Sequence, residues 1–285
     1  MTVNQAIRAA TVRLGAGTDS ARFDAELLMA HALGTTRSDM FLKCMADPAP
    51  AAFDALIERR AGHEPVAYIT GEAHFWGLRL AVSPAVLVPR ADSETLIEAA
   101  QSALANHPPQ RILDLGTGSG CLLLAALNEW PEAQGVGIDS NADALAVAAR
   151  NAELHARPGQ VSLLQRDWNS GGWGSDLGQF DLILANPPYV EDAADLEPTV
   201  RDHEPAGALF AGPEGLDDYR VLIPQLPVLL QGGGVAMVEI GAAQADQVSA
   251  IAAHAGFAVT LHRDLGERPR ALELKIPLGK GAFGA

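Results

Sequence analysis

The residues best able to do chemistry in this chain are Asn186-Pro187-Pro188-Tyr189. Pro187 keeps its carbonyl but has no N–H, and Asn186 adds a side-chain amide oxygen, so two acceptors can converge on one external NH2 group. Tyr189 adds a flat face beside them. The set suits a planar nitrogen, either an amide or an exocyclic amine. An amide nitrogen is a poor nucleophile because its lone pair is delocalised into the carbonyl. The help a protein can give is to hold the NH2 still and favour the charge that develops on it. By itself the tetrapeptide is equally compatible with a proline-rich turn carrying a solvated asparagine, so its setting has to decide.

A second group of residues lies upstream. Asp114-Leu115-Gly116-Thr117-Gly118-Ser119-Gly120 places three glycines directly after the strand-like run Ile112-Leu113-Asp114-Leu115 and before a helical run from Cys121 to Leu127. The next strand, Gly135-Val136-Gly137-Ile138-Asp139, ends on an acid 19 residues after Gly120. Glycines that let the backbone approach a ligand, followed by an acid able to accept from both ribose hydroxyls, form a nucleotide-cofactor signature. The spacing is Gly-x-Gly-x-Gly, and no Gly-Lys-Ser/Thr follows. Asp114 before the loop would repel a pyrophosphate but attract the ammonium of an amino-acid moiety, so S-adenosylmethionine fits better than NAD. Asp167-Trp168, after the strand Val161-Ser162-Leu163-Leu164, can accept from an adenine amino group and stack on its ring, or can simply anchor a loop.

These residues need a parallel sheet to bring them together. Phe180-Asp181-Leu182-Ile183-Leu184-Ala185 has the continuous apolar character of a buried parallel strand, and the two prolines after Asn186 must end it. In open α/β sheets ligands bind at the carboxyl ends of such strands. Asn141 can cap a helix running through Leu154. Further on, Leu216 to Leu230 reads as helical, Val235 to Ile240 as a strand, and Gln244 to His254 as a helix. Phe257 to Leu261 and Leu272 to Ile276 read as a closing β-hairpin. The polar, irregular stretch from Glu191 to Ala211 could clamp substrate. His203 within it stands alone, without His-x-x-x-His or clustered cysteines, and no metal site is expected.

Residues 1–72 have a different texture. Apolar residues recur at helical spacing from Ala6 to Leu14 and from Phe23 to Leu33, with Asp19-Ser20 as a cap and Gly34 as a stop. Shorter helical patterns lie at Met40 to Lys43 and Ala51 to Arg60. This reads as a small α-helical, substrate-docking domain. Residues 73–90, with Phe75-Trp76-Gly77 and Val88-Pro89-Arg90, read as a β-hairpin linker, and residues 91–285 as the α/β domain.

The composition narrows the partners. Lysine and arginine total 20 against 35 acids; 7 and 9 of these fall in residues 1–72, 13 and 26 in the rest. A net charge of −15 argues against a protein that grips nucleic-acid backbones, because phosphate neutralisation supplies most of that affinity. Cys44 and Cys121 have neither disulfide-framework nor metal-like spacing. No apolar stretch is long enough to span a bilayer, and the expectation is a soluble, cytoplasmic protein.

The conjunction of these motifs resembles the release-factor glutamine methyltransferases, the HemK family. The resemblance runs through Pro65-Val66-Ala67-Tyr68-Ile69-Thr70-Gly71, Phe75-Trp76-Gly77, Val88-Pro89-Arg90, the Asp114 to Gly120 loop, Asn186 to Tyr189, Glu204-Pro205 and Asp264-Leu265-Gly266-Glu267-Arg268. It implies a class I S-adenosylmethionine-dependent methyltransferase fold, Rossmann-like with a seven-stranded sheet, behind a small N-terminal all-α domain. The implied reaction is methyl transfer to the side-chain nitrogen (N5) of the glutamine in the Gly-Gly-Gln motif of peptide chain release factors. Gly116, Thr117, Gly118, Ser119, Gly120, Asp139, Trp168 and Asn186 would contact the cofactor, and Asn186, Pro187, Pro188 and Tyr189 the acceptor glutamine. Where the family usually reads Pro-Arg-Pro-Glu-Thr-Glu this chain has Pro89-Arg90-Ala91-Asp92-Ser93-Glu94, so nothing carries over at Ala91 and Asp92. The alternatives are a ribosomal-protein glutamine methyltransferase, disfavoured by Phe75-Trp76-Gly77, and a methyltransferase acting on adenine or guanine amines.

Overall fold

The computed structural model of the protein describes residues 1–15, 17, 18 and 20–277. By Cα proximity the chain divides into two compact units. One holds Met1–Glu72, Val82–Pro84 and Leu196–Glu204; the other holds Ala73–Ala81, Ala85–Asp195 and Pro205–Ala285.

The first unit is helical: α1 (Val3–Leu14), α2 (Ala21–Leu33), α3 (Arg37–Lys43), α4 (Phe53–Ala61), α5 (Val66–Thr70) and, from far along the chain, α9 (Pro198–Arg201). Thr2 opens α1 with a reciprocal cap, its hydroxyl accepting from the Gln5 N–H while the Gln5 side chain accepts from the Thr2 N–H. Gly34 closes α2 in the left-handed conformation that a residue with a Cβ adopts only at a cost. The cap expected at Asp19-Ser20 is only partly visible: Asp19 lies outside the described residues, and the Ser20 hydroxyl donates to the Asp24 carboxylate instead of capping a backbone N–H. Val3, Ile7, Leu28, Met29, Met40, Phe53 and Ile57 form its core. Pro65 to Thr70, read from sequence as the approach to a hairpin, is the short helix α5, because Pro65 supplies a fixed φ at a helix start. Part of the irregular 191–211 stretch belongs to this unit: Thr199 accepts from the Arg60 guanidinium, and the ring of His203 meets the Gly62 carbonyl.

The second unit is three-layered. The hairpin of β1 (Glu72–Phe75) and β2 (Leu78–Ala81) turns at Trp76 and Gly77, both with positive φ. Trp76 tolerates this because its backbone N–H donates to Glu94 at 2.8 Å and its indole N–H to Glu129 at 2.7 Å. After it come α6 (Glu94–Ala103), β3 (Arg111–Leu115), α7 (Cys121–Glu129), β4 (Gln134–Asp139), α8 (Ala142–His155), β5 (Val161–Gln165) and β6 (Phe180–Ala185). The chain closes with α10 (Asp217–Leu222), α11 (Leu226–Leu229), β7 (Leu230–Glu239), α12 (Ala245–His254), β8 (Ala258–Arg263) and β9 (Pro269–Lys275).

The strands form one seven-stranded sheet in the order β5-β4-β3-β6-β7-β9-β8, parallel except for β9, which runs antiparallel to both β7 and β8. Both faces are covered, so β6 is apolar almost throughout and Phe180, Leu182, Ile183, Leu184 and Ala185 have no solvent exposure. From β3 the chain winds outward through β4 and β5, then returns to place β6 on the other side of β3. That reversal is where an open α/β sheet leaves a crevice. The register makes it concrete: Leu115 pairs with Ala185, Leu115 with Ile138, and Ala185 with Val238. The residues that follow β3, β6 and β4, together with Glu239 at the end of β7, therefore emerge side by side at one edge.

Among the described residues no helix is long and apolar enough to cross a membrane. Cys44 and Cys121 are free and partly exposed.

Candidate active site

A cleft of about 290 Å³ opens at that edge, at the small end of the roughly 300–1,000 Å³ typical of ligand pockets. Its wall includes Gly116, Thr117, Gly118 and Ser119 from the loop after β3, Asp139 from β4, Asp167 and Trp168 after β5, and Asn186 and Pro188 after β6. Two motifs about seventy residues apart in sequence thus share one cavity. Gly120 stands behind the wall as the left-handed residue that starts α7. Pro187 and Tyr189 are not on the wall.

The glycine loop is shaped by close approach. Gly116 has φ of +70°, and a Cβ there would meet the Trp168 ring at 3.2 Å, so the indole lies directly against the loop backbone. The Trp168 N–H donates to Asp218 at 2.8 Å, which fixes the ring plane. Asp167 accepts from the Asn169 backbone N–H at 2.8 Å. Asp139 is held by backbone donors at both oxygens, Oδ2 from Gly118 and Oδ1 from Asn141, each at 2.9 Å. Each oxygen retains a lone pair for a further donor.

Asp114 is 1% exposed beneath the loop. Its Oδ2 accepts from the Thr117 hydroxyl at 2.7 Å, while Oδ1 is buried with no hydrogen-bond partner. Burial, with added repulsion from Asp139, pushes its pKa up to about 7 against the pull of the Thr117 hydrogen bond. A buried acid with an unmatched oxygen is what a site for a cation leaves behind when the cation is supplied by a ligand. The cleft wall repeats the sign: Asp139, Asp167 and Asp218 line it, with Arg90 as its one basic residue among those described.

At the other end of the cleft the tetrapeptide rests on a buried polar network. Asn186 Nδ2 stands 3.4 Å from the Ser93 hydroxyl, Ser93 donates to Glu239, and the Tyr189 hydroxyl donates to Glu239 at 3.3 Å. Glu239 is 1% exposed, and burial drives its pKa up to about 7 despite the Ser93 hydrogen bond and the attraction of Arg270. Tyr189, whose ring was expected to flank the acceptor, turns its hydroxyl inward, and burial beside Glu239 pushes its pKa to about 12. Neither Ser93, Glu239 nor Asp218 stood out in the sequence. Ser93 sits one residue before a helix-starting Glu94 and Glu239 ends an apolar strand, signals that became readable only with the register.

Among the described residues no three histidine, cysteine or acidic side chains are grouped as metal ligands.

The chain matches two family models, the PrmC N-terminal domain over residues 5–71 and the methyltransferase small domain over residues 91–202. It is 41% identical to the release factor glutamine methyltransferase of Caulobacter vibrioides, with 98% of each chain covered. It is 40% identical to that of Cereibacter sphaeroides, covering 97% of this chain and 99% of the relative. The hMettl16 catalytic domain, solved with an RNA hairpin, superposes with a TM-score of 0.54 at 13% identity over 73% of this chain and 79% of its own, a likeness of fold alone. With full-length relatives at this identity, the chain belongs to the release factor glutamine methyltransferase family.

Proposed function

We propose that the protein methylates the side-chain amide nitrogen (N5) of the glutamine in the Gly-Gly-Gln motif of peptide chain release factors, in the cytoplasm, with S-adenosylmethionine as methyl donor. The observation that carries this is the meeting of Asn186 and the glycine loop in one cleft at the reversal of the sheet.

The donor set fits S-adenosylmethionine. Asp114 Oδ1 would take the ammonium, Asp139 the ribose hydroxyls, and Trp168 with Asp167 the adenine, while the close approach at Gly116 suits a ligand laid against backbone. An acidic wall favours a cationic ligand and disfavours a phosphate-bearing one. When bound, S-adenosylmethionine supplies an electrophilic methyl on a sulfonium.

The chain's own residues act on the acceptor. The Asn186 amide oxygen and the Pro187 carbonyl would accept from the two N–H bonds of the glutamine NH2, fixing the amide plane so that one face of the nitrogen, with its lone pair, is presented to the methyl. The same two acceptors favour the positive charge that grows on that nitrogen. The proton lost afterwards belongs to a strongly acidic alkylated amide and can pass to water, so no general base is required. Residues 1–72 would orient the folded release factor.

The test is incubation with labelled methyl donor and, in parallel, whole release factor, ribosomal protein and nucleic acid, followed by mass spectrometry of the product. A single methyl on the Gly-Gly-Gln glutamine is expected. Asn186→Ala should lower turnover by roughly a hundredfold or more, with far less effect on cofactor affinity. Label found only on ribosomal protein or nucleic acid would overturn the assignment.

A further inference from the structure

A side-chain amide helps an acceptor NH2 only with its oxygen turned toward it. Its two ends are nearly the same size, so packing alone cannot choose between them. In this protein the choice is made by a neighbour. Glu239 Oε2 accepts the Ser93 hydroxyl proton, and Oε1 accepts from Tyr189. A serine has one proton to give, and with Glu239 ionised, as it is above its folded value of about 7, Ser93 gives that proton to a carboxylate that can only accept. Toward Asn186, then, Ser93 Oγ must be the acceptor, and the end of the amide facing it must be Nδ2, at 3.4 Å. Oδ1 is left as the edge that Ser93 does not engage, on a side chain that lines the cleft.

We propose that Ser93 and Glu239 are positioning residues that lock the Asn186 amide with its oxygen toward the substrate amide, the carboxylate fixing the direction of the whole hydrogen-bond chain. This rests on the activity proposed above. It adds that the orientation of Asn186, after β6, is set by two residues brought to it from the start of α6 and the end of β7. Both Ser93 and Glu239 are almost fully buried, so the lock is screened from competing water.

Four variants and one ligand-free measurement test it. Ser93→Ala should lower kcat roughly tenfold to hundredfold while leaving the KM for S-adenosylmethionine within about twofold. Ser93→Thr, which keeps the hydroxyl, should restore kcat to within about threefold of wild type. Ser93→Ala added to Asn186→Ala should cost little more in kcat, because Ser93 acts only through that amide. Glu239→Ala should resemble Ser93→Ala in kcat. In the ligand-free protein, the Asn186 side-chain N–H protons should exchange with solvent faster in Ser93→Ala than in wild type, read by NMR on 15N-labelled chain. A Ser93→Ala enzyme with wild-type kcat, an equal loss in the Asn186→Ala background, or unchanged exchange of the Asn186 amide would each overturn the lock. If wild type itself fails to methylate glutamine while the exchange difference persists, it is the activity assignment that fails.

Discussion

Two buried acids of the helical unit and two at the cleft of the α/β unit are treated in opposite ways. In the helical unit Asp24 and Glu26 are each answered by arginine. Asp24 accepts from Arg60 at 2.7 Å with both side chains 8% exposed. Glu26, 2% exposed, takes Arg22 at 2.8 Å and Arg37 at 2.6 Å. Burial alone would raise Glu26, but hydrogen bonds from the two guanidinium groups outweigh it and hold the carboxyl below its usual range. In the α/β unit Asp114 and Glu239 are just as buried, yet the side chains hydrogen-bonded to them are hydroxyls, those of Thr117, Ser93 and Tyr189, and burial lifts both to about 7. The first arrangement completes itself and serves the fold. The second leaves a charge that folding alone does not satisfy, and such groups gather where a ligand finishes the job.

The largest effect that tests this contrast is expected in the helical unit. Arg60→Ala would strand Asp24 as an unpaired buried charge and also lose the bond to Thr199. Removing one partner of a buried pair costs roughly 3–5 kcal/mol, read as a lower denaturant midpoint. A loss under about 1 kcal/mol would mean the pair behaves like a surface one.

Asp114→Asn should act in the reverse direction on the ligand-free protein. Between the ordinary value of 3.8 and the folded value of about 7, the native state holds a proton that the unfolded chain has released. Stability therefore falls as pH rises through that window and stays low above it, by up to about 4 kcal/mol at the standard conversion. The Asn variant should melt higher than wild type at pH 8 and show little of this dependence. It should also bind S-adenosylmethionine more weakly at pH 8. Wild-type affinity should drop as pH falls below about 7, where Asp114 becomes neutral, and the variant's should not follow it. Equal affinity for wild type and variant by calorimetry at pH 8 would remove Asp114 from the ammonium site.

Asp139 falls between the two kinds, a carboxylate steadied by the backbone N–H groups of Gly118 and Asn141. Asp139→Ala should weaken S-adenosylmethionine by roughly 1–3 kcal/mol, the scale of charge-assisted hydrogen bonds lost. Unchanged calorimetric affinity would take it out of the ribose site.

What the sequence disclosed follows the same divide. Strands β3, β4 and β6 were legible because buried parallel strands read as unbroken apolar runs, and Gly116, Asp139 and Asn186 because each stands at the end of one. Local chemistry within a few residues carried most of this, and the 19-residue spacing from Gly120 to Asp139 carried the pairing of loop and acid. The network of Ser93, Asn186 and Glu239 was not legible, since its members lie 93 and 53 residues apart and only the register of β6 against β7 unites them. Asp218 was hidden for the same reason, meeting Trp168 across 50 residues. The segment Leu196–Glu204 gave no hint that it packs with the helical unit, because a polar stretch without periodicity does not say which surface it will satisfy.

The smallest expected effect probes how far the pairing in the helical unit is redundant. Arg22 is 77% exposed and sits one turn before Glu26, so Arg22→Ala removes only an exposed helix pair, while Arg37 remains on Oε2. The cost should be about 0.2–1 kcal/mol. Arg37→Ala should cost somewhat more, because that guanidinium also stacks on Phe23 and Phe41, 5.2 and 5.3 Å from their ring centroids. The double variant should exceed the sum of the two, since only then is Glu26 left buried and unanswered. The pH profile gives an independent reading. A carboxyl held below its usual range contributes stability that is present above the unfolded-state value of 4.5 and lost as pH falls through the folded one. That acid-side loss should persist in either single variant and shrink in the double. If the single costs simply add and the acid limb is unchanged, Glu26 is not the buried partner that sets Arg22 and Arg37 in place, and the contrast between the two units narrows to Asp24 alone.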